Sequence, residues 1–210
     1  MLANDEKKKI ESYIDKLINN IYLDIKKSEQ DGVTGKNLVD KTVKTAVNKL
    51  TPESKMLLSS TYNMLMETTL KQPRFQNAEN QSIFYELNIL KELTSKFTFD
   101  VPKDISYEEV GVTITKLEAC GAVVVTGAVV SAVTKNLVPV GIAAIIAGVM
   151  VFVLKNKYNV MLPDMNNNES TLNLIEEYLE GVKKSLLLWV TEIEKYYDEK
   201  ISTISGRLVD

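Results

Sequence analysis

The sequence predicts an all-α protein with a single helical domain, a bundle of amphipathic helices around or carrying a hydrophobic hairpin. Apolar residues recur every three or four positions along most of the 210 residues, which is the period of an amphipathic helix. Proline and glycine fall between these periodic stretches, where helices end. Residues 119–154 are almost continuously apolar, and Lys135 is their only charge. These observations leave no stretch typical of an alternating, half-buried strand outside the apolar segment.

The first helix is predicted over residues 7–29, because isoleucine and leucine side chains recur there at helical spacing. The opposite face mixes lysine with acidic residues, which indicates a solvated face. Gly32 is expected to end this helix, and Thr34 or Gly35 to open the second.

A third helix is expected to start at Thr51, Pro52 and Glu53. They provide a capping hydroxyl, a proline at the first helical position and an acid in the first turn. This helix should stop before Pro73. A fourth is predicted over residues 80–96.

The hydrophobic hairpin consists of two apolar arms, residues 119–133 and 137–154, joined by a polar tip at Lys135. As helices the arms would be about 22 and about 27 Å long, close to the ~30 Å hydrocarbon core of a bilayer. They are apolar all round and rich in small residues, which favours close packing in lipid. The positions expected to insert are Ala119, Val125, Gly127, Val130, Lys135, Pro139, Ile145, Gly148 and Phe152.

The valine-rich first arm also has strand propensity, so a β-tongue that refolds to helix on insertion stays open beside the helical hairpin. A permanently buried hairpin at the centre of a bundle is the other interpretation of the same apolar segment. Insertion into a membrane and burial in a bundle would both remove the two arms from water.

The longest periodic pattern, over residues 171–204, predicts a long C-terminal helix with a repeat of about 3.6 residues. Leu186, Trp189 and Val190 broaden its apolar face. They indicate either core packing or a docking face for a partner protomer or a membrane interface. Residues 159–210 hold ten acidic and five basic side chains. Anionic lipid would repel this helix at neutral pH, which suggests a stalk or restraining element that stays in water, with weaker repulsion at acidic pH.

Composition excludes several kinds of chemistry. The chain has no histidine and one cysteine, Cys120, so a histidine-based triad, a Cys/His zinc cluster and an internal disulfide framework are ruled out. A sequence pI near 5.3 argues against a nucleic-acid surface. Residues 31–37 lack the spacing of a phosphate-binding loop. No enzyme activity, cofactor or metal site is expected.

The N-terminus leads into an amphipathic stretch without the apolar core of a secretory signal peptide. We therefore expect synthesis in the cytoplasm without a signal peptide. The soluble form would be released or retained, and would then insert into a membrane.

The layout resembles the pore-forming domain of colicins and the α-helical pore-forming toxins of the cytolysin A and haemolysin BL type. Residues 119–154 with the Lys135 tip, and the long helix over residues 171–204, carry the resemblance. It implies that an amphipathic shell opens, the hairpin inserts, and further helices or protomers line a conducting path. A colicin hairpin lies close to the C-terminus, whereas residues 155–210 follow this one.

The expected function is therefore that of a bacterial-style toxin or cell-killing effector, which permeabilises a lipid membrane and self-oligomerises or acts with a partner toxin component. The alternative is a soluble helical-bundle interaction protein or toxin component, whose hairpin is a permanently buried core.

Overall fold

The computed structural model describes residues 2–97 and 168–208, and every expectation for residues 98–167 lies outside them. The described part contains helices α1 (Asn4–Gln30), α2 (Gly35–Leu70), α3 (Ala78–Glu86), α4 (Ile89–Phe97) and α5 (Asn168–Thr203). Short 3-10 turns occupy Pro73–Phe75 and Ser205–Arg207. No strand occurs within these ranges, so the all-α prediction is confirmed, including the long C-terminal helix.

Helices α1, α2 and α5 pack against one another in all three pairs. The backbone N–H of Leu2 contacts Glu194, and Asp15 contacts Lys183, so α1 and α5 run in opposite directions. The turn after Gln30 folds α2 back along α1. Helices α2 and α5 therefore run parallel to each other, with their C-terminal ends on the same side of the bundle.

The core of the described residues is formed by the apolar stripes of these helices. Leu50 of α2 and Ile193 of α5 are completely buried, as is Ile14 of α1. Each such side chain stabilises the fold by about 1.5–3 kcal/mol relative to exposure. The members of the stripes on α1 and α5 are those that periodicity predicts: Ile10, Ile14, Leu17, Ile21, Ile25, Ile175, Leu179, Val182, Leu186, Val190, Ile193, Tyr197, Ile201 and Ile204.

Gly32 ends α1, as predicted. Its φ of 87° lies in the left-handed region, where a Cβ would be strained. The N–H of Gly32 donates to the Glu29 carbonyl at 2.9 Å, and that of Val33 donates to the Ser28 carbonyl at 3.1 Å. This Schellman motif satisfies two of the last carbonyls of α1 and sends the chain back towards α2.

The expected helix start at Pro52 is wrong, because Pro52 lies inside the continuous 36-residue helix α2. Proline removes one helical hydrogen bond and costs ~3 kcal/mol in a helix interior. Leu50 and Leu57, on either side of it, are exposed by 0% and 3%. Burying both of these leucines on one face of α2 outweighs the cost of the proline.

The predicted fourth helix is also wrong in part, since a break at Asn88 divides it into α3 and α4. Asn88 has a φ of 46°, a left-handed conformation that asparagine tolerates better than most residues. Phe84 and Ile89 would point about 140° apart on an unbroken helix. The break allows both to be buried.

Candidate functional site at the flanks of residues 98–167

The nine positions expected to enter a membrane all lie between residues 119 and 152, outside the described residues. Among the helices of residues 2–97 and 168–208, none combines the length and the apolar character needed to cross a bilayer. The candidate site that can be described is therefore the pair of helix ends that flank residues 98–167, the end of α4 and the start of α5.

The three residues considered for a partner face lie in the interior of the bundle. Leu186 and Trp189 are each 1% exposed, and Val190 is 6% exposed. This is the placement that core packing predicts, and in this form of the protein the three side chains do not face solvent. Their neighbour Leu188 is 56% exposed on the other side of α5.

Phe97, the last residue of α4, contacts Tyr196 of α5. Their ring centroids are 5.7 Å apart, and the rings meet edge to face at 65°. Residue 196 lies 28 positions after Asn168, which corresponds to about 42 Å along the helix axis. The chain therefore leaves the bundle near one end of α5 and re-enters it at the other end.

A cluster of polar and aromatic side chains holds α4 on α5 at the first of these ends. The Glu92 Oε2 atom lies 2.5 Å from the Lys200 Nζ atom, and it accepts a hydrogen bond of 2.5 Å from the Tyr196 hydroxyl. The Lys96 ammonium lies 4.2 Å from the centroid of the Tyr196 ring, within cation–π distance. We call Glu92, Lys96, Phe97, Tyr196 and Lys200 the α4–α5 clasp.

The side chains of the clasp stabilise one another's protonation states. The hydrogen bond from Lys200, followed by that from Tyr196, lowers the pKa of Glu92 below its ordinary value. Burial, together with the adjacent Glu92 carboxylate, raises the pKa of the Tyr196 hydroxyl. At neutral pH the cluster is therefore an ionised carboxylate that accepts from an ammonium and from a neutral phenol.

A buried carboxylate on α5, Glu194, joins the N-terminal residues to the same end of the bundle. Its Oε1 atom accepts from the Leu2 backbone N–H at 2.8 Å, and its Oε2 atom lies 3.4 Å from Lys7 Nζ. Glu194 is only 7% exposed, so these two contacts compensate a charge that is largely removed from water.

Sequence reasoning missed Glu194 and the clasp, although each has a local signal. Glu194 lies four residues after Val190 and three before Tyr197, so it interrupts a buried stripe with a charge. Glu92 and Lys96 share one face of α4, and Tyr196 and Lys200 share one face of α5. Which face meets which depends on the packing of the two helices.

The described residues contain no group of three or more histidine, cysteine, aspartate or glutamate side chains that could hold a metal ion. Two buried hydroxyls in this part of the chain, those of Thr61 and Tyr178, have no hydrogen-bond partner. Burial raises the pKa of Tyr178, which keeps its hydroxyl neutral. The contacts of the α4–α5 clasp and of Glu194 thus hold the ends of α4 and α1 against α5.

Comparison of the chain with protein-family models, with curated proteins and with solved structures returns no match.

Proposed function

We propose that this protein inserts into a lipid membrane through the apolar hairpin of residues 119–154 and permeabilises it, as a toxin or cell-killing effector. The observation that carries the proposal is that α1, α2 and α5 cover one another's apolar faces. If amphipathic helices wrapped the hairpin permanently, their apolar faces would be expected to pack against the hairpin and not against one another. The described bundle has its own core, which supports a division into a water-stable carrier and an insertable segment.

The physical basis for insertion is the composition of the hairpin. Its 36 positions include one charge, that of Lys135, located at the tip. An ionised lysine at the centre of a bilayer costs about 2.5–3.5 kcal/mol on insertion scales, but a tip that crosses to the far headgroups returns the ammonium to water. Small residues at four-residue spacing, such as Gly127 and Ser131, would allow the two arms to pack closely.

The carrier part is suited to remain in water. Glu176, Glu177 and Glu180 of α5 are exposed. Like-charge repulsion from anionic headgroups would keep this surface away from a membrane while the hairpin enters it. We infer that further protomers, or a partner toxin component, complete the conducting path.

Leakage of an encapsulated dye from liposomes tests this function. Purified wild-type protein is added to zwitterionic and to anionic vesicles at neutral and at acidic pH, beside the variants Ala128→Asp and Ala144→Asp. Each variant places a carboxylate in one arm. The matched control is Leu23→Asp, which adds the same charge at a side chain of α1 that is 52% exposed. Thermal unfolding of each variant is followed by circular dichroism.

We expect the wild type and Leu23→Asp to release dye, and both arm variants to lose most of that release while keeping the wild-type melting temperature. Absence of leakage by the wild type under all four conditions would overturn the proposal. Arm variants that unfold, or that melt far below the wild type, would favour the alternative in which the hairpin is a permanent core.

A further inference from the structure

We propose that the α4–α5 clasp is an autoinhibitory contact, which holds α4 on the bundle and must open before the hairpin inserts. This inference rests on the proposed function and describes how that function is regulated. It also extends the sequence-based suggestion of a restraining element on α5, because it names the residues that do the restraining.

Helix α4 depends on its contacts with the rest of the bundle. It has nine residues, fewer than the ~12–15 that an isolated helix needs to be even marginally stable in water. Its apolar residues Ile89, Leu93 and Phe97 are buried against the bundle, and α4 contacts both α2 and α5. Once α4 has left both α2 and α5, its length is too short to keep it folded.

Release of α4 would lengthen the segment of chain that connects the hairpin to the bundle. With the clasp closed, the stretch of residues 98–167 is anchored at two points about 42 Å apart along α5. When the clasp opens and α4 also leaves α2, the first anchor moves back from Phe97 to the end of α3 at Glu86. The eleven residues from 87 to 97 add up to about 36 Å of extended chain. The hairpin could then move much further from the bundle without disturbing the α1–α2–α5 core.

The ion pair of the clasp lies near the surface of the bundle. The side chains of Glu92 and Lys200 are 42% and 31% exposed, so solvent and salt reach their contact. Partly exposed ion pairs contribute little to stability, and their loss leaves the remainder of a domain folded. Most of the buried side chains of the core, by contrast, lie on the three long helices, and α4 contributes only Ile89, Leu93 and Phe97.

Charge reversal tests the clasp. Glu92→Lys and Lys200→Glu each replace the attractive pair with two like charges, and the double variant restores an opposite-charge pair with its order exchanged. Asp31→Lys is the control, because it makes the same charge change as Glu92→Lys at an exposed residue just after α1, at the end of the bundle opposite to Leu2 and the clasp. Dye release is measured from zwitterionic vesicles, and hydrogen exchange is measured at the amides of residues 89–97.

We expect each single reversal to accelerate dye release by roughly two- to fivefold and to speed amide exchange in α4, and the double variant to return towards the wild type. Should Glu92→Lys fail to fold, Glu92→Gln replaces it with nearly unchanged shape.

Two results would overturn the inference: single variants that release dye at the wild-type rate, or an Asp31→Lys variant that accelerates release equally. A wild type that never releases dye defeats the proposed function and the autoinhibition together. Faster exchange in α4 of the single variants would then still show that the cluster holds α4, so the two failures are distinguishable.

Discussion

The hydroxyl of Tyr197 on α5 donates a hydrogen bond of 2.9 Å to the Oγ1 atom of Thr69 on α2, inside the bundle. Thr69 in turn donates to the carbonyl of Leu65 at 2.9 Å. The Tyr197 ring also meets the Tyr62 ring edge to face, with centroids 6.2 Å apart. These contacts place the C-terminal ends of two parallel helices side by side, so we regard Tyr197 as the residue that sets their register.

Tyr197→Phe should lower the free energy of unfolding by about 0.5–1.5 kcal/mol, the usual net value of one buried hydrogen bond. Thr69 keeps its bond to Leu65, so no buried donor is left unpaired. Urea unfolding measures the change. Tyr85→Phe is the control, since Tyr85 is 57% exposed and its change should stay within about 0.5 kcal/mol. Equal effects of the two substitutions would contradict the register role of Tyr197.

Glu194→Ala should destabilise the protein by about 1.5–3 kcal/mol, because the Leu2 N–H and the Lys7 ammonium lose a charged acceptor. Proteolysis should then cleave the start of α1 faster. Glu192→Ala removes an exposed carboxylate two residues away and should leave both readouts near the wild type. A Glu194→Ala protein as stable as Glu192→Ala would show that the buried contact contributes nothing.

Trp189 is the single tryptophan and is 1% exposed, so its fluorescence reports on the bundle interior. We expect blue-shifted emission that resists aqueous quenchers and shifts to the red on unfolding. Trp189→Ala should cost about 3–5 kcal/mol, whereas Leu188→Ala, at a 56% exposed neighbour, should cost less than about 0.5 kcal/mol. Solvent-exposed emission from the folded protein would instead favour the docking-face interpretation.

The clasp should make stability depend on pH at acidic values. The folded-state pKa of Glu92 is lowered by Lys200 and Tyr196, with Lys96 adding to the effect. Its contribution is therefore fully present above its unfolded pKa, whose ordinary value is 4.5, and is lost as the pH falls through the lowered folded value. The loss of stability on acidification should be smaller in Glu92→Gln than in the wild type. Chemical unfolding at a series of pH values measures this difference, and identical pH profiles would contradict it.

Local pattern was sufficient for much of the fold. The isoleucine stripe of α1, the long stripe of α5 and the stop at Gly32 follow from the 3.6-residue period and from the conformational freedom of glycine, which depend only on near neighbours. The all-α class followed from the same signals.

Local pattern failed where distant residues decided. The start signal at Pro52 is outweighed because Leu50 and Leu57 are buried together on α2. The chain breaks at Asn88 although its neighbourhood favours a helix, because Phe84 and Ile89 are both buried. The interior position of Trp189 was one of two interpretations, and the packing of the helices into one core selected it.

The sequence by itself determined that this chain is helical, that its charges avoid residues 119–154 apart from Lys135, and that its apolar faces lie on particular stripes. Only the tertiary structure decided that these stripes cover one another, that Glu194 is buried, and that α4 is fastened to α5 through Glu92. The reason is physical: a helical period is a property of neighbouring residues, whereas a contact such as that of Glu92 with Lys200 joins side chains 108 positions apart and exists only after the helices pack.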